Sequence, residues 1–287
     1  MTHTQQDQFF RCTFSKDTIR LIVLDATQLC HELNQLHACT GVVRSIFSEI
    51  ICSSLLTSPL LTEEERYTIR WYYDGPFESC IVDIGANAKI RAYPTNSYLE
   101  GIESIDQALG KSGKIGVVKS NPYRKLNSGM TLADQTQPAK DLATFFEISD
   151  QLKTILVYNE HADRHTAIMV QAMPGFTETN FEKLYSLFES MDFKSKFSEA
   201  NFNNIEGFFK QFDVFKDIKI KQPTQPELFC TCSRDKMFQI LCTLGIEDLQ
   251  DMIANDGGSE VDCDFCKKKH IFDTTDLQKI IDYKKSS

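Results

Sequence analysis

Four cysteines near the C-terminus have the spacing of a metal site. They form two close pairs, Cys230-Thr231-Cys232 and Cys263-Asp264-Phe265-Cys266, with 30 residues between the pairs. A two-residue spacer makes a turn that points both sulfurs inward, and a second close pair supplies two further soft ligands. The pattern predicts tetrahedral zinc binding by Cys230, Cys232, Cys263 and Cys266. The alternative is that these cysteines are free thiols packed as small hydrophobic side chains.

The short Cys-x-Cys half indicates that the site can also change its chemical state. One intervening residue places two thiols where a small-ring disulfide can close, and the sulfurs of a tetrahedral zinc site lie only about 3.8 Å apart. Oxidation of both pairs would consume all four ligands. In a small subdomain the free energy of metal binding is largely the free energy of folding. We therefore expect oxidation to unfold this part of the chain.

The residues before the cysteines predict a main domain of mixed strands and helices over residues 1–175. The chain has 287 residues, 41% of them hydrophobic, which is enough to bury a sizeable core. Residues 8–25 predict a first strand, and two helices follow with a break near Thr40-Gly41. Strands and helices without regular alternation favour an α+β fold. Further strands that complete one sheet are predicted at 67–73, 80–84, 88–93, 114–119, 152–158 and 166–172, and a helix with Leu142, Phe145, Phe146 and Ile148 facing inward at 137–151.

A segment rich in phenylalanine separates this domain from the cysteines. Residues 176–215, here called the Phe-rich segment, hold ten of the 21 phenylalanines in the chain. We expect residues 176–228 to form a metastable helical linker that packs on the main domain at rest and exposes aromatic surface when released. Its predicted apolar stripes are Phe181, Leu184, Tyr185, Phe188 and Met191, then Ile205, Phe208, Phe209 and Phe212.

The cysteines themselves belong to a small C-terminal domain, residues 229–287. Ser233 is placed to cap a helix, residues 259–272 predict a hairpin around the second cysteine pair, and Leu277, Ile280 and Ile281 form the apolar face of a last helix. The predicted core is thin. Metal, more than packing, is therefore expected to decide whether this domain folds.

Several motifs together resemble the 33 kDa chaperonin family, whose members are redox-regulated heat-shock holding chaperones. The specific part is the pattern of the two cysteine pairs. Weaker motifs occur upstream in the order of the family. They are Asp74-Gly75-Pro76, Gly113-Lys114-Ile115-Gly116-Val117-Val118-Lys119 and Gln171-Ala172-Met173-Pro174-Gly175.

The resemblance implies a function and roles for the cysteines. It implies an ATP-independent holding chaperone that binds unfolding proteins under oxidative stress, and not an enzyme. The four cysteines would bind one Zn²⁺ in the reduced state and form redox-active disulfides within each pair after oxidation. It further implies a cytoplasmic protein that is a monomer when reduced and a homodimer when oxidised.

Charge and composition exclude several other partners. A net charge of −9 and an isoelectric point near 5.2 oppose binding to nucleic acid, since phosphate contacts need a basic face. The alternative function is a zinc-ribbon nucleic-acid module that uses Lys267-Lys268-Lys269. Apolar runs such as Leu21-Ile22-Val23-Leu24 are too short to span a membrane, and the other cysteines are scattered, as reduced cytosolic thiols are.

Two fragments that resemble enzyme motifs do not fit their chemistry. Gly110-Lys111-Ser112 lacks the earlier glycine of a phosphate-binding loop, because Ile105 stands at that position. His161 and His165 have the spacing of a zinc protease, but no glutamate follows the first histidine. Both histidines are expected in a solvated turn between strands.

Overall fold

The computed structural model describes residues 6–14 and 18–286. It is divided into two compact units, one up to Leu228 and one from Phe229 onward. The first contains two sheets with helices and the second a small hairpin with helices. The predicted α+β fold class is therefore confirmed. The three-part division at residues 175 and 228, with a metastable middle part, stays a prediction.

The first unit contains the following elements. Its strands are β1 Gln8–Phe14, β2 Ile19–Asp25, β3 Arg66–Tyr73, β4 Ser79–Gly85, β5 Lys89–Pro94, β6 Gly113–Ser120, β7 Lys125–Leu132, β8 Thr154–His161, β9 Arg164–Ala172, β10 Lys219–Ile220 and β11 Glu227–Leu228. Its α-helices are α1 Thr27–Leu36, α2 Gly41–Leu55, α3 Ile105–Leu109, α4 Pro138–Ser149, α5 Glu178–Glu189, α6 Met191–Ser198 and α7 Ile205–Phe209.

These strands form two sheets. One has five strands in the order β10-β1-β2-β9-β8, and the other has six in the order β11-β5-β4-β3-β6-β7. All neighbours are antiparallel except β11, which pairs in parallel with β5. The prediction of a single sheet was wrong, because the hydrophobic pattern of a strand does not show which other strands it pairs with. Strand β7 was also missed, since its mostly exposed residues carry little hydrophobic pattern.

The five-stranded sheet is buried on both faces at its centre. Strand β2 has a continuous apolar run that is almost entirely buried, as expected for a strand covered on two sides. Ile22 and Leu24 face a core that also contains α1, α2, α4 and the second sheet. Leu21 and Val23 face the opposite way, into a separate apolar cluster. Something must therefore cover this second face.

The Phe-rich segment is that cover. Its helices pack their aromatic side chains on β1, β2, β8 and β9 in one apolar cluster. The ring centroids of Phe14 and Phe215 lie 4.8 Å apart, and those of Phe188 and Phe193 also lie 4.8 Å apart, both edge to face. The predicted packing of this segment on the main domain is confirmed. Its stability depends on this contact, because helices this short are marginal in water.

Three residues that were predicted to face inward, one on α4 and two in the Phe-rich segment, face solvent instead. Ile148 on α4, Tyr185 on α5 and Met191 at the start of α6 are exposed. The helix expected over a longer stretch ends at Glu189, and Ser190 caps a new helix by accepting a hydrogen bond from Phe193 N at 3.2 Å. The change of direction at Ser190 takes Met191 off the apolar face. The first strand is likewise two strands, β1 and β2.

One long helix is apolar enough to cross a membrane. Among the described residues, the stretch Gly41–Leu60, which contains α2, meets the length and composition of a span. Most of it is buried inside the first unit, where Ile46, Phe47 and Ile50 lie in the core. Its apolar composition is therefore explained by its position as a central helix of the core.

The second unit is built on a hairpin and helices. Its elements are α8 Arg234–Leu241, α9 Ile246–Asp251, a short π-helical turn Met252–Asp256, β12 Gly258–Asp262, β13 Lys269–Asp273 and α10 Thr274–Ser286. Gly258 has a φ of +153°, and a Cβ there would lie 2.5 Å from the Phe272 carbonyl oxygen, so only glycine fits. The predicted hairpin and the inward positions of Leu277, Ile280 and Ile281 are confirmed.

A buried carboxyl group in the first unit gives this fold a pH dependence. Glu49 Oε1 on α2 accepts a hydrogen bond from Ala139 N, in the first turn of α4, at 3.0 Å. Burial raises the pKa of Glu49 from 4.5 to about 7. Because the folded pKa is raised, the stability from the protonated form is fully present below pH 4.5 and is lost as the pH rises through about 7.

We expect Glu49→Gln to flatten this pH profile. Between pH 4.5 and 8 the wild type should lose roughly 3 kcal/mol more unfolding free energy than the variant. Urea unfolding can be followed by fluorescence of Trp71, the single tryptophan, which is fully buried in the first unit. Glu147→Gln, at an exposed position on α4, is the control. Equal pH profiles for wild type and Glu49→Gln would contradict the assignment.

Candidate metal centre

The first cysteine pair lies immediately before α8. Ser233 caps this helix, and its hydroxyl accepts a hydrogen bond from Lys236 N at 3.3 Å, as the sequence predicts. The ammonium of Lys236 donates a 2.6 Å hydrogen bond to the carbonyl of Thr231, the residue between the two cysteines. This contact fixes the backbone of the Cys-x-Cys turn and places a positive charge beside it.

The second pair lies in the turn between β12 and β13. Cys263 N donates to the Lys268 carbonyl at 3.0 Å, and Lys267 N donates to the Cys263 carbonyl at 2.7 Å. Lys267 has a φ of +56°, in the left-handed region, which closes the turn within four residues. The two-residue spacer predicted such a turn. Both sulfurs of this pair consequently face the first pair.

The structure brings together all four cysteines that the sequence selected. Their Sγ atoms all lie within 4.8 Å of one another. The Sγ distances are 3.7 Å between Cys230 and Cys263 and 3.4 Å between Cys232 and Cys266. A tetrahedral metal with bonds of about 2.3 Å requires sulfurs about 3.8 Å apart. The donor set and its spacing therefore fit one tetrahedral metal ion.

The site is part of the core of its unit. Cys263 is buried with Phe272 and Leu249, and the other three cysteines pack against the same apolar cluster. Arg234 stacks its guanidinium over the Phe272 ring at 4.7 Å and pairs with Asp276, which ties α8 to α10. The described core is small for a unit of 59 residues. A ligand that joins the two cysteine pairs therefore joins two halves of the unit.

Two of the four thiols, Cys232 and Cys266, resist ionisation when no cation is bound. Burial, together with hydrogen bonds to neighbouring thiols, raises the pKa of Cys232 to about 12. Burial also raises the pKa of Cys266. Four thiolates at these distances would repel one another strongly, so a cation is needed to hold all four in the ionised form. Metal binding must therefore displace protons.

A second group of possible ligands lies in the first unit. Ligand atoms of His31, Asp163 and His165 fall within 4.8 Å of one another. The sequence placed His161 and His165 in a solvated turn. His161 is exposed as expected, but the prediction was wrong for His165, which is fully buried. The sequence gives no signal for this group, because His31 is remote and is brought close only when β2 pairs with β9.

Comparison with known proteins identifies the family of the chain. A family model described as Hsp33 protein matches residues 7–273. The chain belongs to this family. A relative named 33 kDa chaperonin from Clostridium perfringens is 24% identical, with 98% of this chain and 93% of the relative covered. Another of that name from Geobacillus kaustophilus is 23% identical, with 91% and 93% covered.

A solved structure shares the fold. The crystal structure of the 33 kDa chaperonin, heat shock protein 33 homolog, from Thermotoga maritima matches with a TM-score of 0.84 at 19% identity. The match covers 99% of this chain and 100% of that chain. The family resemblance inferred from the cysteine motifs is confirmed. The names of the relatives support a chaperone and favour this over an enzyme.

We expect zinc binding to the reduced, metal-free chain to release protons. Zinc binds cysteine as the thiolate, so protons should leave the site as the ion enters, and affinity should rise with pH. Calorimetry in buffers of different ionisation enthalpy measures the proton count. Cys230→Ser and Cys266→Ser should lose most of the affinity. Cys242→Ser is the matched control, because Cys242 packs against the same core but lies outside the cluster. Full occupancy in both ligand variants would refute the site.

Proposed function

We propose that this chain is a redox-regulated, ATP-independent holding chaperone that binds unfolding proteins after oxidation. The observation that carries the proposal is the packing of four sulfurs within 4.8 Å of one another. The same atoms can serve as metal ligands or form disulfides, but a sulfur in a disulfide is no longer a thiolate ligand. Oxidant and metal therefore compete for one set of atoms.

The metal that suits the site is zinc, one ion per reduced chain. Cys230, Cys232, Cys263 and Cys266 would be its ligands, because four thiolates in a tetrahedral arrangement favour zinc over hard cations. With four protein ligands, no coordination position is left for substrate. The bound ion would hold the two cysteine pairs together and supply no catalysis.

Oxidation by a peroxide would remove these ligands. Each pair of thiolates would give two electrons to one peroxide molecule, which takes up two protons from solvent and leaves as two water molecules, while one S–S bond forms. Two peroxide molecules thus convert four cysteines. The second unit then loses the link between its halves, and its small apolar core is too thin to keep it folded alone.

The pairing of the disulfides decides whether oxidation unfolds the unit. Links within each pair, Cys230–Cys232 and Cys263–Cys266, leave the two halves independent and are favoured in an unfolded chain by their short loops. The described sulfurs also make close contacts between pairs, at 3.7 and 3.4 Å. Disulfides between the pairs would instead cross-link the two halves and stabilise the folded unit. The proposal requires links within pairs, as the family resemblance implies.

Release of the Phe-rich segment would create the client-binding surface. In the resting state this segment covers one face of the five-stranded sheet. Its departure would expose two apolar surfaces, the aromatic face of the segment and the sheet face that contains Leu21, Val23 and Val170. Together these exceed what a soluble monomer normally exposes, so they can bind unfolded clients or a second copy of the chain.

Short strands connect this cover to the second unit. After the Phe-rich segment, β10 adds two residues to the edge of β1, and Phe9 and Thr224 exchange two backbone hydrogen bonds of 2.9 Å. Strand β11 then adds two residues beside β5 and ends at Leu228, two positions before Cys230. Such short edge strands open easily. We infer that folding of the second unit limits their opening.

The family resemblance favours a cytoplasmic protein that is monomeric when reduced and dimeric when oxidised, with unfolding proteins as clients. Nucleic acid and membrane binding are not part of the proposal. The net charge of −9 opposes phosphate contacts.

We expect peroxide with mild heat to release zinc and activate the chain together. The reduced, zinc-loaded chain should leave a thermally unfolding client to aggregate, while the oxidised chain should suppress its light scattering without ATP. Peptide mapping without reductant should find Cys230–Cys232 and Cys263–Cys266. A dominant Cys230–Cys263 or Cys232–Cys266 bridge in the active protein would contradict unfolding as the trigger. Cys242→Ser should behave as the wild type.

Removing the second unit should activate the chain without an oxidant. A chain ending at Leu228 lacks whatever limits the opening of β10 and β11, so its Phe-rich segment should exchange amide hydrogens readily and its surface should bind a hydrophobic dye. Aggregation assays of the truncated chain, with the reduced full-length chain as control, measure the effect. An inactive truncated chain with a protected segment would place the activating change elsewhere.

A further inference from the structure

Three side chains in the first unit converge at one end of the five-stranded sheet. Pairing of Asp25 with Thr166 brings the start of α1 beside the turn between β8 and β9. His31 lies on α1, and Asp163 and His165 lie at this turn. One ligand atom from each falls within 4.8 Å of the others. The tetrathiolate site lies in the other unit and shares no residue with them.

His165 has a buried nitrogen that needs a partner. Its Nδ1 lies 2.8 Å from the Tyr158 hydroxyl, and its buried Nε2 has no hydrogen-bond partner among the described residues. The Tyr158 hydroxyl donates to Glu160 Oε2 at 3.4 Å, which leaves its oxygen to accept from Nδ1–H. Nε2 then carries a lone pair. Leaving this acceptor unpaired costs stability, which a bound cation would recover.

Asp163 is oriented toward the same point. Arg44 donates to Asp163 Oδ1 at 2.5 Å. His31 Nε2 lies 3.2 Å from the other oxygen, Oδ2, and 3.1 Å from the Asp163 carbonyl oxygen, so it donates a proton here and would lose that proton on binding a metal. This arrangement leaves one carboxylate oxygen beside the two imidazoles, while the guanidinium fixes its direction. Asp163 pairs with the positive charge of Arg44, and the negative charge of Glu160 acts on His165 against that of Arg44. The side chain of Asp163 is 58% exposed, which gives an ion a route from solvent.

We propose that His31, Asp163 and His165 bind a divalent transition metal ion, separate from the cysteine site. Two imidazoles and one carboxylate are a donor set that suits Zn²⁺ and its neighbours in the first transition row. The Tyr158 contact to Nδ1 is the outer hydrogen bond that metal-bound histidines usually have. Bound metal would connect α1 to the β8–β9 turn. Since no thiol takes part, the ion stays when the cysteines are oxidised.

Zinc stoichiometry of the reduced full-length chain tests this site. After dialysis against Zn²⁺, the untagged wild type should bind two ions per chain, and after peroxide treatment it should keep one. His31→Gln and Asp163→Asn change exposed or half-buried side chains and should weaken the second ion by at least roughly tenfold. His161→Ala is the control, because this exposed histidine lies at the same turn but outside the group.

Two further measurements distinguish the loss of a metal ligand from misfolding of a variant. In the wild type, the ring-nitrogen chemical shift of His165 Nε2 should move on zinc addition, and Trp71 fluorescence should show that both variants stay folded. One zinc per wild-type chain at saturation would overturn the proposal. So would a second zinc that His31→Gln and Asp163→Asn bind as tightly as the wild type, because that ion would lie elsewhere. In that case the group is an ion-pair network only.

Discussion

The four sulfurs of the second unit lie so close together that, as thiolates without a bound cation, they would repel one another strongly. They lie within 4.8 Å of one another, and Cys263 is buried in the core that they help to form. Either a cation neutralises the thiolates, or protons or S–S bonds do. We propose that these states differ in the stability of the unit, because its core is small and includes the cysteines themselves. On this proposal, the chemistry of four atoms controls the folding of the whole unit.

The Phe-rich segment covers a large apolar face of the first unit. Its five-stranded sheet is covered on one face by α1, α2 and the second sheet, which are rich in aliphatic contacts. The other face is covered by short helices whose contacts are mainly phenylalanine rings. Those helices gain their stability from docking. The proposed function requires that this cover leaves while the opposite core, a separate apolar cluster, remains folded.

Sequence reasoning predicted the chemistry better than the architecture. Thiolate spacing is local, so the cysteine turns and the Ser233 cap followed from a few residues each. Strand periodicity located most strands, but not the division into two sheets, which depends on pairing between distant segments. The helical spacing of apolar residues wrongly predicted an inward Met191, because Ser190 starts a new helix there. The group of His31 and His165 was missed for the same reason as the second sheet, since only tertiary pairing brings them together.

Hydrogen exchange of the full-length chain, reduced with zinc and then oxidised, tests the central claim most directly. If metal binding at the cysteines holds both the second unit and the Phe-rich segment in place, oxidation should remove protection from residues 178–220 and 229–286 together. Protection in β2, β3 and β9 should persist. Loss of protection in the second unit alone, with the Phe-rich segment still protected in an active chaperone, would contradict the account.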